Sequence, residues 1–399
     1  MPYQRLARFL LLPEVSLITH ERFSENRDGQ GLDIFEIKKE RPEFEICPRC
    51  ATQATAYYDK RKIAVKDAPI RGSQVKLIIH KHRWWCTNCK KPFTEPIGGI
   101  LPRRKTTQRF RKSILEACEN YSDLSRVRKD FKCSSALVYK ILYEQLELRW
   151  REYQYGWPKK VGIDEHFYRR YMGHSEFATI FTDLHNSRVR ELCEGKSGAK
   201  LQIQLGNDPS RFSVEVVCID LSTGYRNFTW NYFPNAEIVA DKFHVLRLLS
   251  PAIFKELKLI TGRNVRRVAK KQLLTPSWKI KDYFERKAIW EKLTQFPKLN
   301  ELYWWSQHLH SFYRTRGANR ADTALSITIR QMQQSSLPEV QTLAKTLTAW
   351  HREIVNYFRY GVTNATTEGY NNIAKLVQRR AFGYKSFRNY RLRVLNACA

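Results

Sequence analysis

Hydrophobic positions along the chain follow two different periods, and the changes of period divide the chain. From residue 30 to about 100, short runs such as LDIFEI and QVKLIIHKHRWW are rich in β-branched and aromatic residues and predict strands. From about 105 to 150 the apolar spacing becomes helical, and Ser134 and Ser135 stand where the N-cap of the last helix belongs. The pattern therefore predicts a small β-rich module followed by a group of helices.

The period returns to two after Pro158. Three consecutive short strands are predicted at KKVGIDEHF, EFATIFTDL and SRVRELC, followed by a helix at GAKLQIQL and a buried strand at SVEVVCIDL. A short strand at AEIVADKF then runs into a helix at FHVLRLLSPAIFKEL, and helical periodicity dominates from about 245 to 360. This order of strands and helices predicts a ribonuclease-H-like α/β domain with further helices added to it.

The composition indicates a folded protein with a polyanionic partner. The chain has 399 residues, of which 42% are hydrophobic and 13% aromatic, which is enough for two or three domains with cores. It carries 70 basic and 39 acidic residues and a formal net charge of +31. Since no apolar run approaches about 18 residues, nucleic acid suits this charge better than a membrane surface. A basic protein without such a partner is the simpler alternative.

The nine cysteines fall into two groups. Four form two CxxC pairs, Cys47 with Cys50 and Cys86 with Cys89, and this spacing predicts one structural Zn²⁺ held by four thiolates. The other five are scattered singly, which is typical of reduced thiols in a cytosol. A Pro-Glu pair interrupts the N-terminal apolar run, so we expect no secretory signal and a cytoplasmic, prokaryotic protein.

The helices between about 105 and 150 resemble a helix-turn-helix, with a turn near Lys132 and Cys133. The second helix begins with hydroxyl and basic side chains, so we expect it to enter a major groove of DNA. The predicted DNA contacts of this region are Arg103, Arg104, Lys105, Ser134, Ser135 and Lys140. A helical hairpin that does not read DNA is the alternative.

Three acidic residues stand where a ribonuclease-H-like sheet would bring them together. Asp164 ends the strand KKVGID, Asp220 ends the strand VEVVCID, and Glu368 lies on a late helix in an otherwise basic tail. Two Mg²⁺ or Mn²⁺ ions about 3.5 to 4 Å apart need such oxygen ligands. The acids therefore predict a catalytic site for two metal ions. The ordinary alternatives are strand-end acids that cap turns and, for Glu368, a first-turn acid that complements the helix dipole.

The helix that carries Glu368 has two faces. At about 100° per residue, Glu368 shares one stripe with polar and basic residues, whereas a second stripe is apolar. The predicted DNA contacts on or beside the first stripe are Asn372, Lys375, Arg379 and Arg380. The apolar stripe, which would pack on the sheet, consists of Tyr370, Ile373, Ala374 and Val377.

Several motifs together carry a family resemblance: CPRC with CTNC and KPFTE, VGIDE, EIVADKFHV, and TTEGYNNIAKLVQRRAFGY with SFRNYRLRVL. They resemble the ISL-three family of bacterial insertion-sequence transposases, over essentially the whole chain from about residue 30. The resemblance implies a DDE domain behind a zinc finger and a helix-turn-helix. It also implies Mg²⁺-dependent DNA cleavage and strand transfer, and binding of terminal inverted repeats and target DNA. By position, Asp164 and Glu368 match the first and last catalytic acids of the family.

Two residues compete for the role of the middle acid. Asp220 lies at the end of the fourth strand, where the fold expects it, whereas Asp241 belongs to the more recognisable motif VADKFH. We assign Asp220 to the metal and Asp241 with His244 to support of the site, because related transposases carry a similar element before a His. The alternative for His244 is an ordinary core histidine. Asp183, another strand-end acid, is interpreted as structural.

The predicted organisation is a multidomain α+β chain. Residues 1–100 form the N-terminal region with the four-cysteine zinc-binding domain, 101–155 the helix-turn-helix, and 156–399 the ribonuclease-H-like catalytic domain with an all-helical insertion at about 248–355. The basic run of the insertion would bind DNA phosphates, or else form a solvated helix face: Arg263, Arg266, Arg267, Lys270 and Lys271. We expect a homodimer that pairs two DNA ends. A catalytically silent DNA-binding regulator and a structure-selective nuclease of the same fold are the rival functions.

Overall fold

The computed structural model of the chain describes residues 12, 14–24, 31–121, 123–261 and 273–398. By their internal contacts these residues form two units, Met1–Leu148 and Arg149–Ala399. The predicted DNA-binding run of Arg263, Arg266, Arg267, Lys270 and Lys271 lies outside the described residues. No helix in the described ranges is both long enough and apolar enough to cross a membrane.

Strands make up the first part of the first unit. They are β1 (Val15–Ser24), β2 (Gly31–Lys39), β3 (Glu45–Ile46), β4 (Gln53–Ala54), β5 (Ala56–Ile70), β6 (Ser73–Cys86) and β7 (Lys91–Thr94). One sheet has the order β1–β2–β6–β5 with β7 paired to β6, and β3 with β4 forms a separate ribbon. The turn between β5 and β6 has positive φ angles of 49° at Arg71 and 82° at Gly72, as a tight hairpin turn requires. The strands β5 and β6 thus form a hairpin between the two CxxC pairs, which confirms the predicted β-rich character of this region.

Three helices follow in the order predicted: α1 (Gln108–Asn120), α2 (Leu124–Asp130) and α3 (Ser135–Glu152). The hydroxyl of Ser134 accepts a hydrogen bond from the Leu137 amide at 3.2 Å, which confirms the predicted cap of α3. Lys132, in the turn between α2 and α3, has a φ of 42°. This left-handed conformation reverses the chain within a few residues.

The second unit is built on a five-stranded sheet of β8 (Lys160–Tyr171), β9 (His174–Asp183), β10 (Arg188–Glu194), β11 (Val216–Ile219) and β12 (Glu237–Ala240). Its order is β10–β9–β8–β11–β12. Strands β8 to β10 are antiparallel, and β11 is parallel to both β8 and β12. The strands predicted after Pro158 are all present.

One strand boundary differs from the prediction. Asp164 does not end β8, because the strand continues to Tyr171 in a long hairpin with β9. The parallel pairing of β8 with β11 nevertheless stops at Gly162, opposite Cys218. Asp164 and Asp220 therefore both lie just beyond the end of this parallel ladder.

Helices fill the rest of the second unit. They are α4 (Gly198–Leu205), α5 (Thr223–Tyr232), α6 (Lys242–Leu246), α7 (Ser250–Thr261), α8 (Tyr283–Gln295), α9 (Pro297–Phe312), α10 (Ala318–Gln333), α11 (Pro338–Ala349), α12 (His351–Tyr360), α13 (Ala365–Arg380) and α14 (Phe387–Ala397). Short 3₁₀ turns lie at Pro209–Ser213 and Ser277–Lys279.

The continuous helix predicted after the strand at AEIVADKF is instead broken into α6 and α7. Pro251 explains the break, because proline has no amide hydrogen and its ring clashes with the carbonyl four residues earlier in a helix. In the observed arrangement Pro251 occupies the first turn of α7, where neither defect matters.

Each face of the sheet has its own core. Ile163, Val217 and Ile219 face a cluster with the aromatic residues of α5, while Tyr168 and Ile180 pack against α13 and α14 on the other face. On α13, Ala374 is buried in this second core and Tyr370, Ile373 and Val377 pack against it. Glu368, Asn372, Lys375 and Arg379 are exposed. The two predicted faces of this helix are therefore confirmed.

Candidate functional site

The site forms where the start of α13 packs against β8. A Cβ atom at Gly162 would overlap the Thr367 side chain and lie 2.6 Å from Asn364 Oδ1, so only glycine permits this approach. Asn364 Nδ2 donates to the Ile163 carbonyl at 2.8 Å, and the Asn364 amide donates to Asp241 Oδ1 at 2.9 Å. The beginning of α13 is thus tied both to β8 and to the end of β12.

Asp164 is half-buried beneath α13. Its Oδ1 accepts the Glu165 amide at 2.8 Å and its Oδ2 accepts Asn371 Nδ2 at 2.9 Å. Burial raises the pKa of Asp164, while these hydrogen bonds and the charge of His244 act in the opposite direction. The carboxylate is oriented from both sides and keeps lone pairs for another ligand.

A chain of hydrogen bonds continues inward from Asp164. Asn371 Oδ1 lies 2.8 Å from His166 Nδ1, and His166 Nε2 lies 2.6 Å from the Tyr390 hydroxyl. Burial lowers the pKa of His166 to about 4, so the ring is neutral near pH 7. Because Asn371 uses its NH₂ group on Asp164, its oxygen accepts from His166 Nδ1, which leaves Nε2 to accept from Tyr390. Sequence reasoning missed this chain; its one signal is a polar Asn371 between apolar neighbours on the inner stripe of α13.

Asp220 directly follows β11, beyond the end of the parallel ladder. Its Oδ1 is buried and has no hydrogen-bond partner among the described residues. The pKa of Asp220 is raised to about 6, first by burial and then by the charge of Glu165, with Asp164 adding to it. A partly desolvated carboxylate with one unpartnered oxygen, beside other acids, is a place where a cation would be stabilised.

Glu165 is an acid near this position that sequence reasoning passed over. Its Oε2 is buried without a hydrogen-bond partner among the described residues, and its side chain bonds the Tyr225 hydroxyl. Tyr225 also lies 3.0 Å from the Thr179 hydroxyl, and burial raises its pKa. The only signal in the sequence was the acid pair in VGIDE.

Asp241, in contrast, is fully satisfied within the protein. Its Oδ2 accepts the amides of Phe243 and His244 at 3.2 and 3.3 Å and lies 3.0 Å from His244 Nδ1, while Oδ1 accepts the Asn364 amide. The bond to Asp241 raises the pKa of His244, to which the charges of Asp164 and Asp220 also contribute. Asp241 caps α6, anchors α13 and holds an imidazole close to the other two acids.

Glu368 lies on the outer face of α13. Its side chain is 52% exposed, and its Oε1 is 3.7 Å from the Arg247 guanidinium. It precedes Asn371 by one helical turn, which places the two Cβ atoms about 5 to 6 Å apart. Glu368 therefore stands one turn from the residue that holds Asp164, without a hydrogen bond to it.

Asp183 serves the turn between β9 and β10. Its carboxylate accepts the amides of His185 and Asn186 at 2.9 and 3.0 Å and the Asn186 side chain at 2.8 Å. All of these bonds are local, which agrees with its interpretation as a structural residue.

The four paired cysteines meet in the first unit. Their sulfur atoms all lie within 4.8 Å of one another, with Cys47 4.0 Å from Cys89 and Cys50 3.5 Å from Cys86. Zinc–sulfur bonds of about 2.3 Å in a tetrahedron imply sulfur separations of about 3.8 Å, so the cluster has the right size for Zn²⁺. The Cys89 amide donates to Cys86 Sγ at 3.3 Å, as in a metal-binding knuckle. Four protein ligands leave no open position for catalysis.

Most of the predicted DNA contacts are exposed, but some basic residues instead form ion pairs within the fold. Arg103, Lys105, Ser134, Ser135, Lys140, Asn372, Lys375, Arg379 and Arg380 are exposed. Arg104 instead pairs with Glu144 at 3.1 Å, and the neighbouring Arg111 shares the same carboxylate. Arg109 forms two hydrogen bonds to Asp67. Arg104, just before α1, and Arg109 and Arg111, within it, are therefore engaged in ion pairs that hold the fold together.

Comparisons with known proteins match both units. The model of a family described as Transposase matches residues 161–394, and a model described as the zinc-finger of transposase IS204/IS1001/IS1096/IS1165 matches residues 43–89. The transposase for insertion sequence element IS1001 of Bordetella parapertussis is 23% identical over 383 residues, which cover 92% of this chain and 91% of that protein.

The zinc-finger match and the four-cysteine cluster support the predicted structural Zn²⁺. Neither the family matches nor the relative favours a regulator or a simple nuclease. The Transposase match spans more than half of the chain and includes the elements that carry Asp164, Asp220 and Glu368. The chain therefore belongs to the ISL-three family of insertion-sequence transposases.

Proposed function

We propose that this transposase cleaves and joins DNA strands by a metal-dependent DDE reaction, with Asp164, Asp220 and Glu368 as the acids. The observation that carries the proposal is the buried, unpartnered Oδ1 of Asp220 beside a second, oriented carboxylate. Leaving such an oxygen without a ligand costs about 1 to 3 kcal/mol or more, so a bound cation offsets a real penalty.

The donor set suits Mg²⁺ or Mn²⁺ rather than a softer metal. Asp164 and Asp220 offer hard carboxylate oxygens, and Glu368 stands one helical turn from Asn371. Two bound Mg²⁺ ions would supply activation of the attacking water or 3′-hydroxyl and stabilisation of the leaving oxygen. The protein itself orients Asp164 through Asn371 and keeps α13 in place through Asn364 and Asp241.

Asp241 and His244 act on the site without replacing Asp220. Both oxygens of Asp241 are occupied by donors from the protein, so it has less capacity than Asp220 to bind a cation. His244, whose pKa is raised, lies near Asp164 and Asp220 and partly compensates their charge. We infer that Asp241 holds α13 against the sheet and that His244 acts through its charge.

The fold and the remaining modules support the same function. The strand order β10–β9–β8–β11–β12, with three antiparallel strands and two parallel ones, is consistent with a ribonuclease-H-like domain. The turn between α2 and α3 and the exposed Ser134, Ser135 and Lys140 are consistent with a helix-turn-helix that contacts terminal inverted repeats. We propose that a homodimer in the cytoplasm pairs two such ends. Mass photometry with and without end DNA tests the dimer.

The decisive experiment is Mg²⁺-dependent cleavage and strand transfer on DNA carrying the ends of the element. Glu368→Gln and Asp220→Asn should bind this DNA and lose cleavage, whereas Asp241→Asn should keep partial activity. Glu291→Gln is a matched control, because Glu291 is 53% exposed on α8 and pairs with Lys287 at 3.8 Å, much as Glu368 pairs with Arg247.

Each rival gives a different result. If the Asp220→Asn variant still cleaves the DNA and the Asp241→Asn variant does not, Asp241 is the middle acid. If the wild type cuts but never joins a 3′ end to target DNA, it is a nuclease. If it binds the ends and neither cuts nor joins, it is a regulator and the proposed chemistry is wrong.

A further inference from the structure

We propose that a cavity beside the carboxylate site holds one nucleotide of the DNA, swung out of the duplex stack. This inference rests on the proposed function, since it takes the DNA at the carboxylates as the source of the nucleotide. Enzymes that extrude a nucleotide receive it in a pocket where its base stacks on aromatic side chains and its edge finds hydrogen-bond partners.

The cavity lies between α6, α7, the 3₁₀ turn at Ser277–Lys279 and the end of α9, and its volume is about 560 Å³. Cavities of about 300 to 1,000 Å³ are typical of small-ligand sites. Its lining includes four cations, Lys242, Arg247, Lys279 and Arg314, and no acidic residue among the described ones. A pocket with this charge attracts a phosphate-bearing ligand.

Trp278 gives the cavity a stacking surface. The Arg314 guanidinium lies over the indole, 4.8 Å from the ring centroid, and the His310 ring meets it edge-on at 6.2 Å and 85°. These contacts hold the indole in place, yet Trp278 remains 39% exposed. A nucleobase stacks on such a ring whatever its identity, because every base has a π face.

Two residues of the lining carry hydroxyl groups that are buried within the protein. Ser250 Oγ and the Tyr313 hydroxyl are buried and have no hydrogen-bond partner among the described residues. Ser250 is 8% exposed and Tyr313 6% exposed, so bulk water reaches neither residue freely. Both oxygens therefore lie beneath the cavity surface, so the polar contacts of a bound nucleotide would come from the four cations of the lining.

The cavity adjoins the proposed catalytic acids. Arg247 lines it and also lies 3.7 Å from Glu368. Lys242 lines it and directly follows Asp241, which anchors the start of α13. A phosphodiester held at the carboxylates and a nucleotide held in the cavity would therefore belong to neighbouring positions of one substrate.

The test is a binding cycle on the full chain in buffer without Mg²⁺. The probes are duplexes with the end of the element in which each nucleotide next to the cleavage site is, in turn, mismatched or abasic. At one position the wild type should bind the mismatched duplex about 5- to 140-fold more tightly than the abasic one, as expected for about 1 to 3 kcal/mol per stacked base. Trp278→Ala should erase this difference, and Trp278→Phe should keep most of it.

Trp290→Ala is the matched control, because Trp290 is 66% exposed on the neighbouring α8 and does not line the cavity. It should preserve the wild-type preference. Equal binding of mismatched and abasic DNA at every position would overturn the proposal and leave a phosphate site only. An equal loss on both duplexes in Trp278→Ala would overturn it as well. The cycle needs no catalysis, so a failure of Mg²⁺-dependent cleavage counts against the proposed chemistry and not against the cavity.

Discussion

Gly162→Ala tests the close packing of α13 on β8, because it adds a single methyl group at the tightest point of the interface. The new Cβ would lie 2.6 Å from Asn364 Oδ1 and 2.9 Å from Leu184 Cδ2, and it would overlap the Thr367 side chain. To restore ordinary contacts, the start of α13 must retreat by about 1 Å, and overpacking of this kind costs about 1 to 3 kcal/mol. In a unit of this size that loss lowers Tm by about 2 to 12 °C. A 1 Å shift of Glu368 should also slow cleavage by about 10²-fold.

Thermal unfolding followed by circular dichroism and single-turnover cleavage with Mg²⁺ measure the two effects. Gly369→Ala in the same helix is the control, because a Cβ there meets nothing within 4 Å. That control should gain about 0.5 to 1 kcal/mol from reduced backbone freedom. Adding Thr367→Ala to Gly162→Ala should restore part of the lost stability. A Gly162→Ala protein with wild-type Tm and cleavage rate would show that α13 does not approach β8 this closely.

Three further predictions follow from the acids, the thiols and the buried hydrogen bonds. Without divalent cations, Asp220 has a pKa of about 6 in the folded chain, against its ordinary value of 3.8 in the unfolded chain. The free energy of unfolding therefore falls as the pH rises from 3.8 to about 6. The free energy of unfolding of Asp220→Asn, measured with denaturant, should therefore rise relative to that of the wild type by about 2 to 3 kcal/mol between these pH values, and the difference should stay constant above them. A difference that does not change with pH would contradict the raised pKa. Cys86→Ser should lose bound zinc and the hydrogen-exchange protection of residues 43–89, whereas Cys133→Ser, outside the cluster, should retain one zinc per chain. Tyr390→Phe leaves His166 Nε2 without its donor and should raise the Mg²⁺ concentration needed for half-maximal cleavage at unchanged DNA affinity, and an unchanged Mg²⁺ dependence would refute a positioning role.

The sequence predicted local features well, because they depend on near neighbours. Period and caps located the strands after Pro158, the cap at Ser134 and the two faces of α13. The CxxC spacing placed four sulfurs around one point. The errors were also local in origin: pairing with β9 extends β8 beyond Asp164, and Pro251 divides a helix that hydrophobic spacing alone made continuous.

What the sequence did not predict depends on distant contacts. Nothing near Asn371 or His166 in the chain indicates that they meet, and the need for glycine at position 162 arises only when α13 lies on it. The different states of Asp220 and Asp241 likewise follow from which amides point at each carboxylate. The assignment of catalytic roles to these acids stays a prediction until the variants are measured.

The hydrogen bonds that hold α13 and α14 against β8 join residues that are far apart in the sequence, so they form late during synthesis of the chain. Asn364 and Ile163 are 201 residues apart, and Tyr390 and His166 are 224 apart. At about 5 to 20 residues per second, a ribosome delivers Asn371 roughly 10 to 40 s after Asp164. During that interval the residues of the zinc module and of the early helices have been made, whereas Asn371, which orients Asp164, has not. If the proposed roles of the N-terminal modules and of the acids hold, a chain released before α13 would bind DNA ends without cutting them, and incomplete synthesis would give an inhibitor rather than an uncontrolled nuclease.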